Sequence, residues 1–410
     1  MNSKRVGLII VVCLILPFLL VGGCTTPNSF DSKLNKIIRP YRFSIAGWEI
    51  KALSYELEDW IFGDSETADE SPVVLEYFAT TRYIGDLERQ IAAVKDGIEP
   101  GDLTVLQAQL EVFQVQKDAL ENRAEGIMEQ QIRETLAQLG IYNPMDSYLG
   151  LDITFPPVNF ELETPPHLLV VSPRDRIDRM KEITLLQDMT PEDIENIEAE
   201  IDELGVSSLV VGLGGMATYP SFVVDDAGLQ FTINAAIEEW LHQYLFFKPL
   251  GFLYALDLAG ISKNYEIAIM NETLAGMTSR EIGSILYQDY YSQYLEGDSQ
   301  LEAAETGFDF NQEMRDIRLA VDNYLAKGEI EQAEVFMEQK RLFLASKGYY
   351  IRRLNQAYFA FYGTYADRPT SIDPIGAELR ELREQMVSLS EFLNAVAVMT
   401  SRDALVSSIE

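Results

Sequence analysis

The longest regular pattern in the chain runs from about Val73 to Leu139, and it constrains the fold more than any other feature. Apolar residues recur there at steps of three and four, the spacing of one helical face. Glu99-Pro100-Gly101 breaks the run. Proline lacks the amide hydrogen that a helix interior needs, and glycine readily takes turn conformations. The pattern therefore predicts a helical hairpin with long arms, similar to a coiled coil. With 47% hydrophobic and 10% aromatic residues the chain has ample material for a packed core, so disorder is not expected.

The remainder divides at its punctuation. Residues 25–50 read as a tether leading into structure, and 65–72 as a polar loop. After the hairpin, prolines cluster at Pro144, Pro156, Pro157, Pro165 and Pro166, and the pattern turns mixed. His167 to Ser172 is a short apolar run that reads as a strand, and Ile183 to Leu186 as another. Thr190-Pro191-Glu192-Asp193 starts a helix, with a threonine cap and a proline in the first turn. It runs to about Leu204 and stops at Gly205. Ser208 to Val224 reads as strand, glycine-rich turn, strand. Two helices follow: Phe231 to Phe247, ended by Lys248-Pro249-Leu250-Gly251, and Asn264 to about Met277. The C-terminal part is helical: Asn311–Ala326, Glu329–Tyr349, an aromatic-rich Tyr350–Tyr362, and a last region from Asp373 to about Leu405.

The expected class is α+β, predominantly α, in four parts. Residues 1–24 are an export signal, 25–150 the tether and hairpin, 151–300 a mixed core, and 301–410 a helical domain.

In the first part, Lys4 and Arg5 precede an almost unbroken apolar run, Val6 to Val21, and Gly22, Gly23 and Cys24 follow at once. A charged start, an apolar core and a small-residue end are the parts of a secretory signal. Val21-Gly22-Gly23-Cys24 resembles a lipobox, which implies a lipid on Cys24 and a bacterial lipoprotein. The alternative is an uncleaved membrane helix, for which the run is near the lower length limit. On either reading the rest of the chain is extracytoplasmic and anchored to a membrane. Cys13 lies inside the run, so the mature chain has no cysteine pair for a disulfide and no cysteine-ligated metal site.

The whole chain carries 32 basic and 65 acidic residues, a net charge of −33. Residues 1–23 hold two of the basic residues and no acid, so the remainder sets thirty basic residues against 65 acidic ones, or −35. That argues against nucleic acid as a partner and against adhesion to anionic lipid through charge. Most of the acids form a solvated face.

Chemistry concentrates in one stretch. The chain has two histidines, too few for a defensible Ser/His/Asp arrangement, and His167 reads as structural. Gly212-Leu213-Gly214-Gly215 lacks the Lys-Ser/Thr of a phosphate loop. By contrast, Glu238 and His242 stand four apart on a predicted helix, one turn apart on one face, where two side chains can grip one metal ion. Glu239 lies about 100° round that helix and reaches the rim of such a site. Asn271-Glu272-Thr273-Leu274-Ala275 brings a further glutamate on the next helix. Three protein ligands leave one position open for water, as hydrolysis requires. Taken singly, a Glu-Glu pair on an acidic helix is a solvated face and a lone histidine a structural one; the joint pattern across two helices points to a site.

These residues resemble the gluzincin metallopeptidases, the thermolysin and zinc-aminopeptidase group, whose pattern is His-Glu-x-x-His followed by an Asn-Glu-x-x-Ala-like segment. Glu238 matches the first histidine, Glu239 the general-base glutamate, His242 the second histidine and Glu272 the glutamate ligand. A group of predicted bacterial proteases carries His-Glu-Trp-x-His, Pro-Leu-Gly and Met-Asn-Glu-Thr. This chain has Glu239-Trp240-Leu241-His242, Pro249-Leu250-Gly251 and Met270-Asn271-Glu272-Thr273. The resemblance covers about residues 205–285 and continues more weakly at Leu354–Ala357 and Tyr365. It departs at Glu238, which stands where the family has histidine. The metal is then either retained by Glu238, His242 and Glu272 or lost with the fold kept for another use.

The resemblance implies a zincin-like core and a membrane-anchored metallopeptidase acting on a peptide or protein. It also implies one divalent ion, zinc or, with a harder ligand set, manganese or iron. Gly214, Gly215, Met216 and Ala217 would form an edge strand that pairs with substrate backbone. Of the cluster Tyr358, Tyr362 and Tyr365, Tyr365 is the candidate oxyanion donor, with aromatic packing the alternative for all three. Two rival functions stay open: a catalytically inactive module that binds a peptide or partner at the cell envelope, and a structural lipoprotein without a site.

Overall fold

The computed structural model describes residues 29–43, 70–144, 154–294 and 308–410. The apolar N-terminal run and Cys24 lie outside them, as do residues 25–28 and 44–50 of the expected tether; Phe30–Ile38 of that tether is instead a helix, which buries Leu34 and Ile38 in a core cluster. The fold is α+β and predominantly α, 63% helical with two small sheets. No helix among the described residues is long and apolar enough to cross a membrane.

Helix α1 (Phe30–Ile38) precedes the hairpin, whose arms are α2 (Ser71–Lys95) and α3 (Leu103–Gln138). Asp102 caps α3 by accepting the amides of Thr104 and Val105, and so sets where the return arm begins. The next strands are β1 (Phe160–Leu162), β2 (His167–Pro173) and β3 (Lys181–Leu185). Helix α4 (Pro191–Asp202) opens with a full capping box between Thr190 and Asp193. Strands β4 (Val206–Val211), β5 (Gly215–Met216) and β6 (Ser221–Val223) lead into three helices: α5 (Leu229–Phe246), α6 (Pro249–Leu258) and α7 (Tyr265–Tyr290). The C-terminal helices are α8 (Phe310–Ala326), α9 (Ile330–Ser346), α10 (Gln356–Tyr362), α11 (Ile375–Gln385), α12 (Leu389–Ala397) and α13 (Arg402–Ile409).

One sheet is antiparallel, in the order β3-β2-β4. Its central strand alternates faces residue by residue. Leu169 and Val171 join the cluster under α1 and α4, while Val170 packs against Ala357 and Ala360 of α10. The other sheet runs β1-β6-β5, with β1 parallel to β6 and β5 antiparallel at the outer edge. The free edge of β1 is closed by the hairpin: Glu125 accepts the Leu162 amide at 2.7 Å and Glu129 the Phe160 amide at 3.0 Å. The largest cluster of buried apolar side chains draws on α2, α3, α5, α7 and α11–α13, with α5 and α7 at its centre.

Several boundaries differ from the sequence reading. Pro249, read as a helix stop, is instead in the first turn of α6. Helix α7 continues to Tyr290, well past Met277. Residues 350–355 are not helical, because consecutive arginines both turn to α4. Arg352 and Arg353 lie 2.6 and 3.1 Å from the buried carboxylate of Glu198. The last helical region is three helices, restarted by caps at Ser388 and Ser401. Strand β1 was not foreseen.

Candidate metal centre

Helices α5 and α7 approach closely because of what their facing residues lack. Helix α5 is apolar round most of its circumference: Ile233, Ala236, Ile237, Trp240, Leu241, Tyr244 and Leu245 are buried. Such a helix belongs inside a core. One line along it differs. Gln230, Asn234, Glu238 and His242, at steps of four, are only partly buried. Helix α7 meets that line with two glycines. A Cβ on Gly283 would stand 2.1 Å from Asn234 Oδ1, and one on Gly276 would stand 3.8 Å from Glu238 Oε1. The missing side chain of Gly283 makes room for Asn234, while at Gly276 the contact with Glu238 would be an ordinary one.

Across that gap Glu238 and His242 of α5 meet Glu272 of α7. One ligand-type atom from each lies within 4.8 Å of the others. His242 Nε2 is 3.8 Å from Glu272 Oε2. On its other side the ring's Nδ1 is 3.0 Å from Asn271 Oδ1. With that oxygen as acceptor the proton sits on Nδ1, and the Nε2 lone pair faces the carboxylates. Glu272 accepts a hydrogen bond from the Tyr254 hydroxyl of α6. Arg179 stands within electrostatic reach of both, buried between Glu182 at 3.2 Å and Asp257 at 2.8 Å.

The pocket is acidic and poorly solvated. Burial raises the pKa of Glu238, and Glu272 adds to the rise, while His242, Arg280 and Arg368 oppose it. Glu239 stands well above the ordinary carboxylate range, by burial first and then by the charges of Glu238 and Glu272. Three crowded carboxylates repel one another, and a divalent cation relieves that repulsion. Two carboxylates and an imidazole whose other nitrogen is already bonded are a donor set that suits such an ion. Glu238, His242 and Glu272 could therefore hold one.

The remaining expected residues surround this group. Glu239 leans on the edge strand: a Cβ on Gly215 would lie 2.6 Å from its Oε1. Met216 is partly buried and Ala217 exposed. The Tyr365 ring passes 3.7 Å from where a Gly276 Cβ would be. Burial and then Glu272, Glu238 and Glu239 raise its hydroxyl pKa, so the phenol feels all three acids. Its loop is pinned by α7, where Thr273 Oγ1 accepts the Ala366 amide at 2.9 Å and Arg280 pairs with Asp367. Tyr358 and Tyr362 lie with ring centroids 4.5 Å apart and planes tilted by 44°, and Tyr358 belongs to the packing beside the antiparallel sheet.

Sequence reasoning missed Tyr254 and Arg179. Tyr254 would have followed from reading Pro249 as a helix start. Arg179 sits in a loop between strands and carries no local signal. In comparison with known proteins, the chain matches no family model, no curated protein and no solved structure.

Proposed function

We propose that this is an exported metallopeptidase-like protein, anchored to a membrane through Cys24, whose zincin-like core holds one divalent ion at Glu238, His242 and Glu272. The observation that carries the reading is the meeting of those three side chains from two helices, with Glu239 alongside and against the outer strand β5. Zinc is the first expectation; a second carboxylate in place of histidine moves the preference toward manganese or iron.

When bound, the ion supplies a Lewis acid for the scissile carbonyl. Glu239 takes the proton of the attacking water and passes it to the leaving amine. The Tyr365 hydroxyl donates to the oxyanion as it forms. Residues Gly214 to Ala217 offer backbone groups to an extended peptide, as edge strands do. The substrate is a peptide or a peptide-containing component of the cell envelope.

Glu238 itself favours a second reading. Two carboxylates cancel much of the ion's charge and weaken it as a Lewis acid. The protein would then be an inactive module that keeps the cleft for binding a peptide or partner.

The test is metal content of the full chain, purified without chelators, beside His242→Ala and Glu272→Ala. About one zinc, manganese or iron per chain, lost in both variants, supports the centre. Glu239→Gln that keeps the metal but loses peptide hydrolysis then separates the peptidase from the inactive module. A parent that takes up none of these ions when they are added sinks the peptidase and leaves the inactive binding module.

A further inference from the structure

The chain carries 65 acids, yet between Glu239 and Glu266 it has one, Asp257, beside two lysines, Lys248 and Lys263. Asp257 is buried, and Arg179 and the Asn264 amide each donate to it at 2.8 Å, so its charge is met inside the fold. This stretch contains helix α6, whose outward side is apolar where the rest of the surface is acidic. Phe252 is 52% exposed and Ile261 68%.

Phe252 and Leu256 stand one turn apart on one side of α6, and Leu256 is half-buried. Just past the helix the Ile261 amide reaches back to the Leu256 carbonyl at 3.0 Å, and the Gly260 amide to that of Asp257 at 2.9 Å. Gly260 takes the positive φ, 69°, that such a C-terminal turn needs, and the turn folds Ile261 back toward Leu256. At the other end the Phe252 ring meets the half-buried Phe246 edge-on, 6.5 Å between centroids. The row Phe246, Phe252, Leu256 and Ile261 thus has a lysine near each end. Lys248 stands 5.9 Å from the centre of the Tyr244 ring. Lys263 donates to the carbonyls of Arg179 and Met180, both at 3.0 Å, which uses two of its three donors. The opposite side of α6 is committed to the core through Tyr254 on Glu272 and Asp257 on Arg179.

Charge decides what fits this row. A second copy would bring a net charge of −33 against its like. A phospholipid surface accepts apolar side chains below its headgroups and offers phosphate to lysines, while it excludes acids. We propose that α6 is a second membrane contact, in which Phe252, Leu256 and Ile261 dip into the headgroup region of a bilayer and Lys248 and Lys263 meet its phosphates. The proposal rests on the membrane-anchored reading above and is independent of hydrolysis. Because Tyr254 of the same helix bonds Glu272, the contact also sets the candidate metal centre beside the membrane surface.

The experiment uses the full chain with Cys13→Ser and Cys24→Ser, which keeps the apolar N-terminal run as a tether. Phe252→Cys, Ile261→Cys or, as a reference on the hairpin, Val115→Cys is then added singly and labelled with a nitrobenzoxadiazole dye. The labelled chains, with circular dichroism equal to the parent's, are reconstituted in phosphatidylcholine vesicles with and without nitroxide-labelled lipid. The dye at 252 and 261 is expected to shift to the blue and to be quenched about threefold more than at 115. Adding Leu256→Glu to the Ile261→Cys chain should lower its quenching to the reference value. Equal quenching at all three positions, in protein that floats with the vesicles in a density gradient, overturns the contact and leaves the anchor standing. Protein that does not float overturns both. A blue shift at 252 and 261 already complete without vesicles means that protein covers the row, and overturns the contact alone.

Discussion

In the α5–α7 pair, glycines sit where the two helices touch, whereas in the hairpin Gly85 and Gly126 have nothing within 4 Å of where a Cβ would be. The hairpin's outer half is held by a narrow seam around Leu87, Ile91 and Leu106, supported by Tyr83 stacked on Phe113. It leaves Val105, Val112 and Val115 more than half exposed. The α5–α7 pair is buried on nearly all sides and encloses charged groups. The same local structure, two long packed helices, thus serves as an arm in one place and as the frame of a Glu238–His242–Glu272 group in the other. What distinguishes them is whether the backbones were brought near enough for side chains of one helix to fill notches in the other.

The contrast can be broken first through pH. Where the hairpin joins the core, burial pushes Glu125 up to about 8, although its carboxyl accepts the Leu162 amide. Unfolded, the group releases its proton near 4.5. Between those values the unfolded chain binds fewer protons, so stability falls as pH rises, by up to roughly 4 kcal/mol from this group. Glu125→Gln should be more stable than the parent at pH 8 and nearly equal to it near pH 4.5, followed by urea denaturation. An offset independent of pH would contradict the assignment.

A smaller effect separates the two classes of glycine. Gly283→Ala forces a Cβ onto Asn234 and should cost about 1–3 kcal/mol. Adding Asn234→Ala should return most of that loss, since it removes the atom in the way. Tyr254→Phe leaves the packing and deletes one hydrogen bond to Glu272; zinc affinity by competition titration should fall about tenfold, with thermal stability of the metal-free protein little changed. Smallest and opposite in sign, Gly85→Ala and Gly126→Ala should each stabilise by about 0.5–1 kcal/mol, because a helix interior prefers alanine and nothing stands in the way. Destabilisation by either would mean that the hairpin glycines also meet a partner.

Much of this could be read from sequence wherever the cause was local. The hairpin followed from apolar spacing and Pro100-Gly101, α4 from Thr190-Pro191, and the shared face of Glu238 and His242 from one turn of helix. Glu272 came from a resemblance of motifs, and the fold brings it to the same point. The caps at Ser388 and Ser401 were legible too, and would have divided the last helical region correctly.

Other features have causes far away in the chain. Residues 350–355 leave the helix that their composition favours because Arg352 and Arg353 reach Glu198, more than 150 residues earlier. Strand β1, three residues long, has its outer edge bonded by Glu125 and Glu129. The Tyr254–Glu272 bond and the notch at Gly283 of α7 depend on how the helices dock. Sequence by itself determined most of the helices, the hairpin and which acid and histidine share a face, because turns, caps and periodicity act over a few residues. Only the tertiary structure decided which of those groups meet, how deeply they are desolvated and what supports them, because those energies arise between segments that touch only once the chain has packed.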